Sequence, residues 1–159
     1  MTTAGSREIM DWKKILVAVD DTPTSENALQ YTGNMVGHLP DVSLHLLHIY
    51  PEPPPDYYAT GGSLDQYRAE REKIAAGIFS GAMEILTGCG IKTRSITTES
   101  RMAERETISQ TILEVQRERG FGTIAVGKRG VSKAEEFLFG SISNALVHQS
   151  RGIAVWVVG

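Results

Sequence analysis

The sequence predicts an α/β protein: a three-layer, open, five-stranded parallel sheet wound in both directions from its centre. Three observations carry this expectation. Val- and Ile-rich runs alternate with helical segments five times. Each connection is long enough to hold a helix, as parallel pairing requires. The first run, KILVAVDD from Lys14, is apolar without alternation, as expected for a strand covered on both faces. At 159 residues the chain suits one domain over 13–159. MTTAGSREIMD carries no apolar core, so residues 1–12 read as a flexible lead-in.

The elements follow in order. After the first strand, Thr22 and Pro23 open a helix with Glu26 near its positive end. Ala28, Thr32, Met35, Val36 and Leu39 recur at helical spacing as its buried stripe. Val42 to Tyr50 is the second strand, and the proline-rich stretch from Pro51 to Gly62 reads as a long surface loop. Ser63 with Gln66 makes a capping box for a long helix on which Tyr67, Ile74, Ala75, Ile78, Ala82, Ile85 and Leu86 keep the period until Gly88. Ile91 to Thr98 is polar enough for a sheet edge. Glu104 to Arg119 is an amphipathic helix with Ile108, Ile112 and Val115 inward, ended by Gly120. Thr123 to Gly127 is the fourth strand. A helix from Ser141 with Ile142, Ala145, Leu146 and Gln149 inward, then Ile153 to Val158 as fifth strand, complete the chain.

Composition removes several functions. With 16 basic and 19 acidic residues the net charge is -3, so no bulk positive field draws nucleic acid or an anionic membrane surface. No 18-residue apolar run is present to span a bilayer. The one cysteine, Cys89, forms no internal disulfide and suits a reducing cytoplasm. The motifs of P-loop NTPases and zinc proteases are absent, so no catalytic or metal-ligating residue is assigned.

Ligands of open parallel sheets bind beyond the carboxyl ends of the strands, where the winding reverses. With the first and fourth strands as central neighbours, Asp20 and Gly127 reach one crevice. Asp20 can equally cap its own turn. After Gly127 come Lys128, Arg129 and Gly130, then nine residues to Gly140, Ser141 and a helix. Glycines permit close backbone approach, and a helix start flanked by hydroxyls offers free amides to phosphate. Arg129 adds charge, and Ser141 and Ser143 add hydroxyls.

Gly127-x2-Gly130-x9-Gly140-Ser141 resembles the nucleotide-binding signature of the universal stress protein family, in its ATP-binding branch. The likeness runs from Lys14 to Val158 through KILVAVD, LLHIY, TIAVGKRG and VWVV. It implies a sheet in order 3-2-1-4-5, adenine nucleotide α-hydrolase-like (Rossmann-like). It also implies that Val19 and Asp20 lie against the nucleoside and that Ile49 contacts adenine. Gly127 and Gly130 would wrap the ribose and α-phosphate, and Gly140, Ser141, Ile142 and Ser143 would hold the outer phosphates. The implied cofactor is ATP, with Mg²⁺ or Mn²⁺ carried on phosphate oxygens. Arg101 and Met102 are candidates for the pocket edge.

The uncovered apolar strand Ile153 to Val158 invites pairing with a second copy of the chain. The resulting expectation is a cytoplasmic homodimer that holds ATP and regulates an unidentified protein partner under stress. Two alternatives stand beside it: a slow ATP hydrolase or adenylyl-transfer enzyme of the same fold, and a nucleotide-free dimeric scaffold.

Overall fold

The computed structural model describes residues 10–128 and 141–159. Its strands are β1 (Lys14–Ala18), β2 (Ser43–Pro51), β3 (Ile96–Ala103), β4 (Thr123–Gly127) and β5 (Ala154–Val158). They form one parallel sheet in the order β3-β2-β1-β4-β5. The chain winds from β1 out to β3, then returns to the other side of β1 for β4 and β5. The winding direction therefore reverses between β1 and β4.

Alternation along the strands builds two cores. Ile15, Val17, Leu44 and Leu46 pack against α1 (Pro23–Val36) and α3 (Leu64–Gly88) through Leu29, Val36 and Leu86. Leu16, Leu47 and Ile124 point the other way, onto α4 (Ile108–Arg119) and α5 (Ser141–Gln149) through Ile112, Val115 and Leu146. A central strand buried on both faces has no polar face to show, which explains the unbroken apolar run at β1.

Caps fix where the helices start. Ser63 Oγ accepts from Gln66 N–H at 3.2 Å while Gln66 Oε1 accepts from Ser63 N–H at 3.1 Å, completing the expected capping box. Thr107 and Gln110 make a second box at 3.2 and 2.8 Å. α4 consequently starts at Ile108 rather than at Glu104.

Other expectations need correction. β3 runs from Ile96 rather than Ile91: Ile91 N–H closes the end of α3 on Leu86 O at 3.1 Å, and a short 3₁₀ turn, Thr93–Ser95, follows. As an edge strand β3 is partly exposed, so its polar residues conceal a pairing with β2 that continues to Ala103. The proline-rich loop contains a five-residue helix, α2 (Pro55–Ala59), with Pro55 in its first turn, where a missing N–H costs nothing. Met35 and Ile74, expected inside, are each 49% exposed, so the buried stripes of α1 and α3 are narrower than the hydrophobic pattern. Gln149 is exposed as well.

Candidate functional site

β1 stops at Ala18, and the next residues turn into α1. Asp20 Oδ1 accepts from Thr22 N–H at 2.8 Å and from the Thr22 hydroxyl, while Asp20 N–H donates to Ser25 Oγ at 2.9 Å. Thr22 Oγ1 in turn caps α1 by accepting from Ser25 N–H at 3.3 Å. The carboxylate thus ties the end of a central strand to the first turn of the following helix.

A cleft of about 630 Å³, counting its open mouth, lies beyond this turn at the reversal point of the sheet. Ala18, Val19 and Asp20 line it from the end of β1 and Gly127 from the end of β4. Leu47 and Ile49 come from β2, Ile108 and Ile112 from α4, and Ile142 and Ser143 from the first turn of α5. The lining therefore combines aliphatic side chains suited to a flat ring with a carboxylate, hydroxyls and a helix start.

The structure places the expected site residues as follows. Val19, Asp20, Ile49, Gly127, Ile142 and Ser143 line this cleft. Arg129, Gly130 and Gly140 lie outside the described residues. Ser141 is the first residue of α5, and its side chain lies outside the description too. Thr22, Ser25, Ile108 and Ile112 also line the cleft and were not anticipated there. The signal for the two isoleucines was present: in a parallel sheet the helix after β3 starts at the carboxyl edge, so its first inward residues face the crevice. Arg101 and Met102 do not line the cleft; they line a separate groove with Tyr50, Glu106 and Glu114. Arg101 is held there because its Nε donates to Glu99 Oε2 at 2.7 Å.

The same helix, α4, is anchored at its far end by an ionic group. Glu99 Oε1 takes Arg119 at 2.9 Å and His45 Nε2 at 3.1 Å, and Thr97 Oγ1 lies 2.6 Å from His45 Nδ1. His45 is 2% exposed and stacks on Phe121 with ring centroids 5.4 Å apart. Burial pushes its pKa below the usual histidine value, against the raising pull of the Glu99 bond and with help from the Arg119 charge. The ring is therefore neutral, donating from Nε2 to Glu99 and accepting the Thr97 hydroxyl at Nδ1. Arg119 then bonds Glu99 rather than the ring, although its Nη1 lies 3.4 Å from Nε2, because both of those nitrogens are donors. Burial alone would raise the Glu99 carboxyl; the Arg101 bond and charge, joined by His45 and Arg119, hold it below the ordinary carboxylate range.

Fold and cleft together define a doubly wound α/β domain with its crevice at the topological switch point. The chain belongs to the universal stress protein family, whose family model matches residues 11–159. A universal stress protein of Mycolicibacterium smegmatis is 24% identical over 145 residues, covering 91% of this chain and 48% of the relative. The chain thus spans about half the length of that curated relative. Among solved structures, a universal stress protein in complex with cAMP matches with a TM-score of 0.68 at 18% identity, covering 92% of this chain and 96% of that one. The universal stress protein from Archaeoglobus fulgidus in complex with dAMP matches with a TM-score of 0.60 at 17% identity, covering 92% and 97%.

Proposed function

We propose that the chain is a nucleotide-binding stress protein that takes an adenine nucleotide in the cleft between β1 and β4. The observation that supports this reading is the meeting of Val19, Asp20 and Ile49 with Gly127, Ile142 and Ser143 around one crevice. The apolar wall of Ile49, Ile108 and Ile112 suits a purine face, and the Asp20 carboxylate is at hand for ribose hydroxyls. The first turn of α5 suits phosphate, because the leading amides of a helix lack internal partners. Two family relatives, solved with cAMP and with dAMP, agree in ligand class.

ATP is the nucleotide this reading favours, with Arg129, Gly130, Gly140 and Ser141 completing the phosphate cradle. Mg²⁺ or Mn²⁺ would arrive on the phosphate oxygens, because such hard ions keep few protein ligands. The protein acts as a cytoplasmic homodimer joined through β5, and occupancy of the cleft alters a surface that a protein partner reads. No helix among the described residues is long and apolar enough to cross a membrane.

Native mass spectrometry of the purified protein with and without ATP and Mg²⁺ tests this. The expected result is a bound adenine nucleotide and, at a ligand excess of about a hundredfold over Kd, a stabilisation of about 2.7 kcal/mol. No bound nucleotide and no thermal shift at millimolar ATP ends the reading.

A further inference from the structure

We propose that His48 is a positioning residue for this cleft: it holds the Val19 carbonyl aside so that the main chain of Ile49 stays open beyond the end of β1. The choice of ligand rests on the function proposed above, whereas the backbone arrangement is read directly from the fold.

His48 lies on β2, is 7% exposed, and has its Nδ1 2.9 Å from Val19 O. A carbonyl only accepts, so Nδ1 carries the proton and Nε2 is left as an acceptor. That Nε2 is buried and has no hydrogen-bond partner among the described residues. An imidazole with one nitrogen buried and unsatisfied is a poor choice for stability alone, since an apolar side chain fills the place without losing water contacts. What the ring supplies that leucine lacks is the bond to Val19.

That bond interrupts a ladder. Val19 N–H donates to Leu47 O at 2.9 Å, continuing the parallel pairing one step past β1. The next rung of such a ladder runs from Ile49 N–H to Val19 O. Among the described residues this rung is not formed, and the oxygen takes His48 instead. Alternate residues of a strand present N–H and C=O to the same side, so Ile49 points both groups where Leu47 does, toward the place β1 has just vacated. The Ile49 side chain lines the cleft there. A donor and an acceptor offered side by side match the N1 and N6 edge of adenine, and the reversed edge of guanine meets both with the wrong partner.

The test compares wild type, His48→Leu and His48→Asn, whose amide keeps a donor near the Nδ1 position. Three quantities are read: AMP affinity by calorimetry, melting temperature of the ligand-free protein, and amide hydrogen exchange at Ile49. In His48→Leu the protein stays folded and the Kd for AMP rises by about tenfold or more, the scale of a lost hydrogen bond. Exchange at Ile49 slows in that variant, because the freed Val19 carbonyl completes the rung. His48→Asn keeps wild-type exchange and an AMP affinity near wild type. Unchanged affinity and exchange in His48→Leu overturn the inference, as does a His48→Asn protein as impaired as His48→Leu. Wild-type protein that binds neither AMP nor ATP overturns the function proposed above; wherever AMP affinity gives no reading, exchange at Ile49 decides about His48 alone, slowing in its favour and no change against it.

Discussion

A β-carbon at Gly127 would overlap the carbonyl oxygen of Thr24, so the end of β4 and the start of α1 meet with no space between them. The nearby atoms are backbone and cannot swing away as a side chain would; Ser25 N lies 2.8 Å from the same position. Gly127→Ala therefore has to move the first turn of α1, and with it the Ser25 hydroxyl that receives Asp20 N–H. Overpacking of this kind costs about 1–3 kcal/mol. Thermal denaturation should register that loss, and calorimetry should show weakened adenine nucleotide binding.

Asp20 separates two roles. Asp20→Asn keeps an oxygen for Thr22 N–H, so its melting temperature should stay near wild type while nucleotide binding weakens. Asp20→Ala removes the turn bonds as well and should cost about 1 kcal/mol, or ~2–4 °C in Tm. An Asp20→Asn protein with undiminished affinity counts against ribose contact by the carboxylate.

Gly120 ends α4 at φ 70° and ψ 40°, the left-handed region, and a β-carbon there would meet nothing within 4 Å. The cost of Gly120→Ala is then backbone strain alone, about 1 kcal/mol, with a Tm lower by ~2–4 °C and unchanged nucleotide affinity.

The Glu99 and His45 group sets an acid limit. His45 has a folded pKa below its unfolded value, so its contribution is complete above about pH 6.5 and declines as pH falls, when only the unfolded chain gains the proton. Glu99 is also depressed; its contribution is present above the ordinary carboxylate pKa and is lost as pH drops through the folded value. Urea unfolding from pH 7 to pH 4 should show stability falling throughout, first through His45 and then through Glu99. Glu99→Gln should flatten the lower part of that profile, and an unaltered slope would remove Glu99 from the account.

Pairing through β5 predicts a solution mass twice 17.4 kDa by sedimentation equilibrium. Val157 is a large exposed apolar residue of β5, so Val157→Lys should shift the protein toward monomer and leave ligand-free folding intact. A monomeric wild type refutes the dimer.

The sequence disclosed the fold where burial and capping use residue types suited to little else. Ile15 to Val17 admits no polar face, and Ser63 with Gln66 admits one helix start. It disclosed less where composition is ambiguous. Glu99 and Arg101 look like loop residues, yet they lie in an edge strand because they neutralise each other beside His45. Ile91 looks like the first residue of a strand but seals the end of α3. In the cleft, Asp20 and Gly127 were legible because strand ends are marked by the apolar runs before them, whereas Ile49 was implied by the family resemblance. Ile108 and Ile112 were read as ordinary core, since position along a helix decides which inward residues reach the crevice. His48 was overlooked as a contributor because its partner is a main-chain oxygen, which no side-chain pattern records.

α4 spans 12 residues, about 18 Å, with Ile108 and Ile112 at the cleft and Glu118 and Arg119 bonded to β3 at the other extremity. Such a rod is tied to the sheet by ion pairs at one tip and lines the crevice with the other. A change at Glu99 therefore acts at the tip remote from the crevice and reaches its lining only through the helix itself.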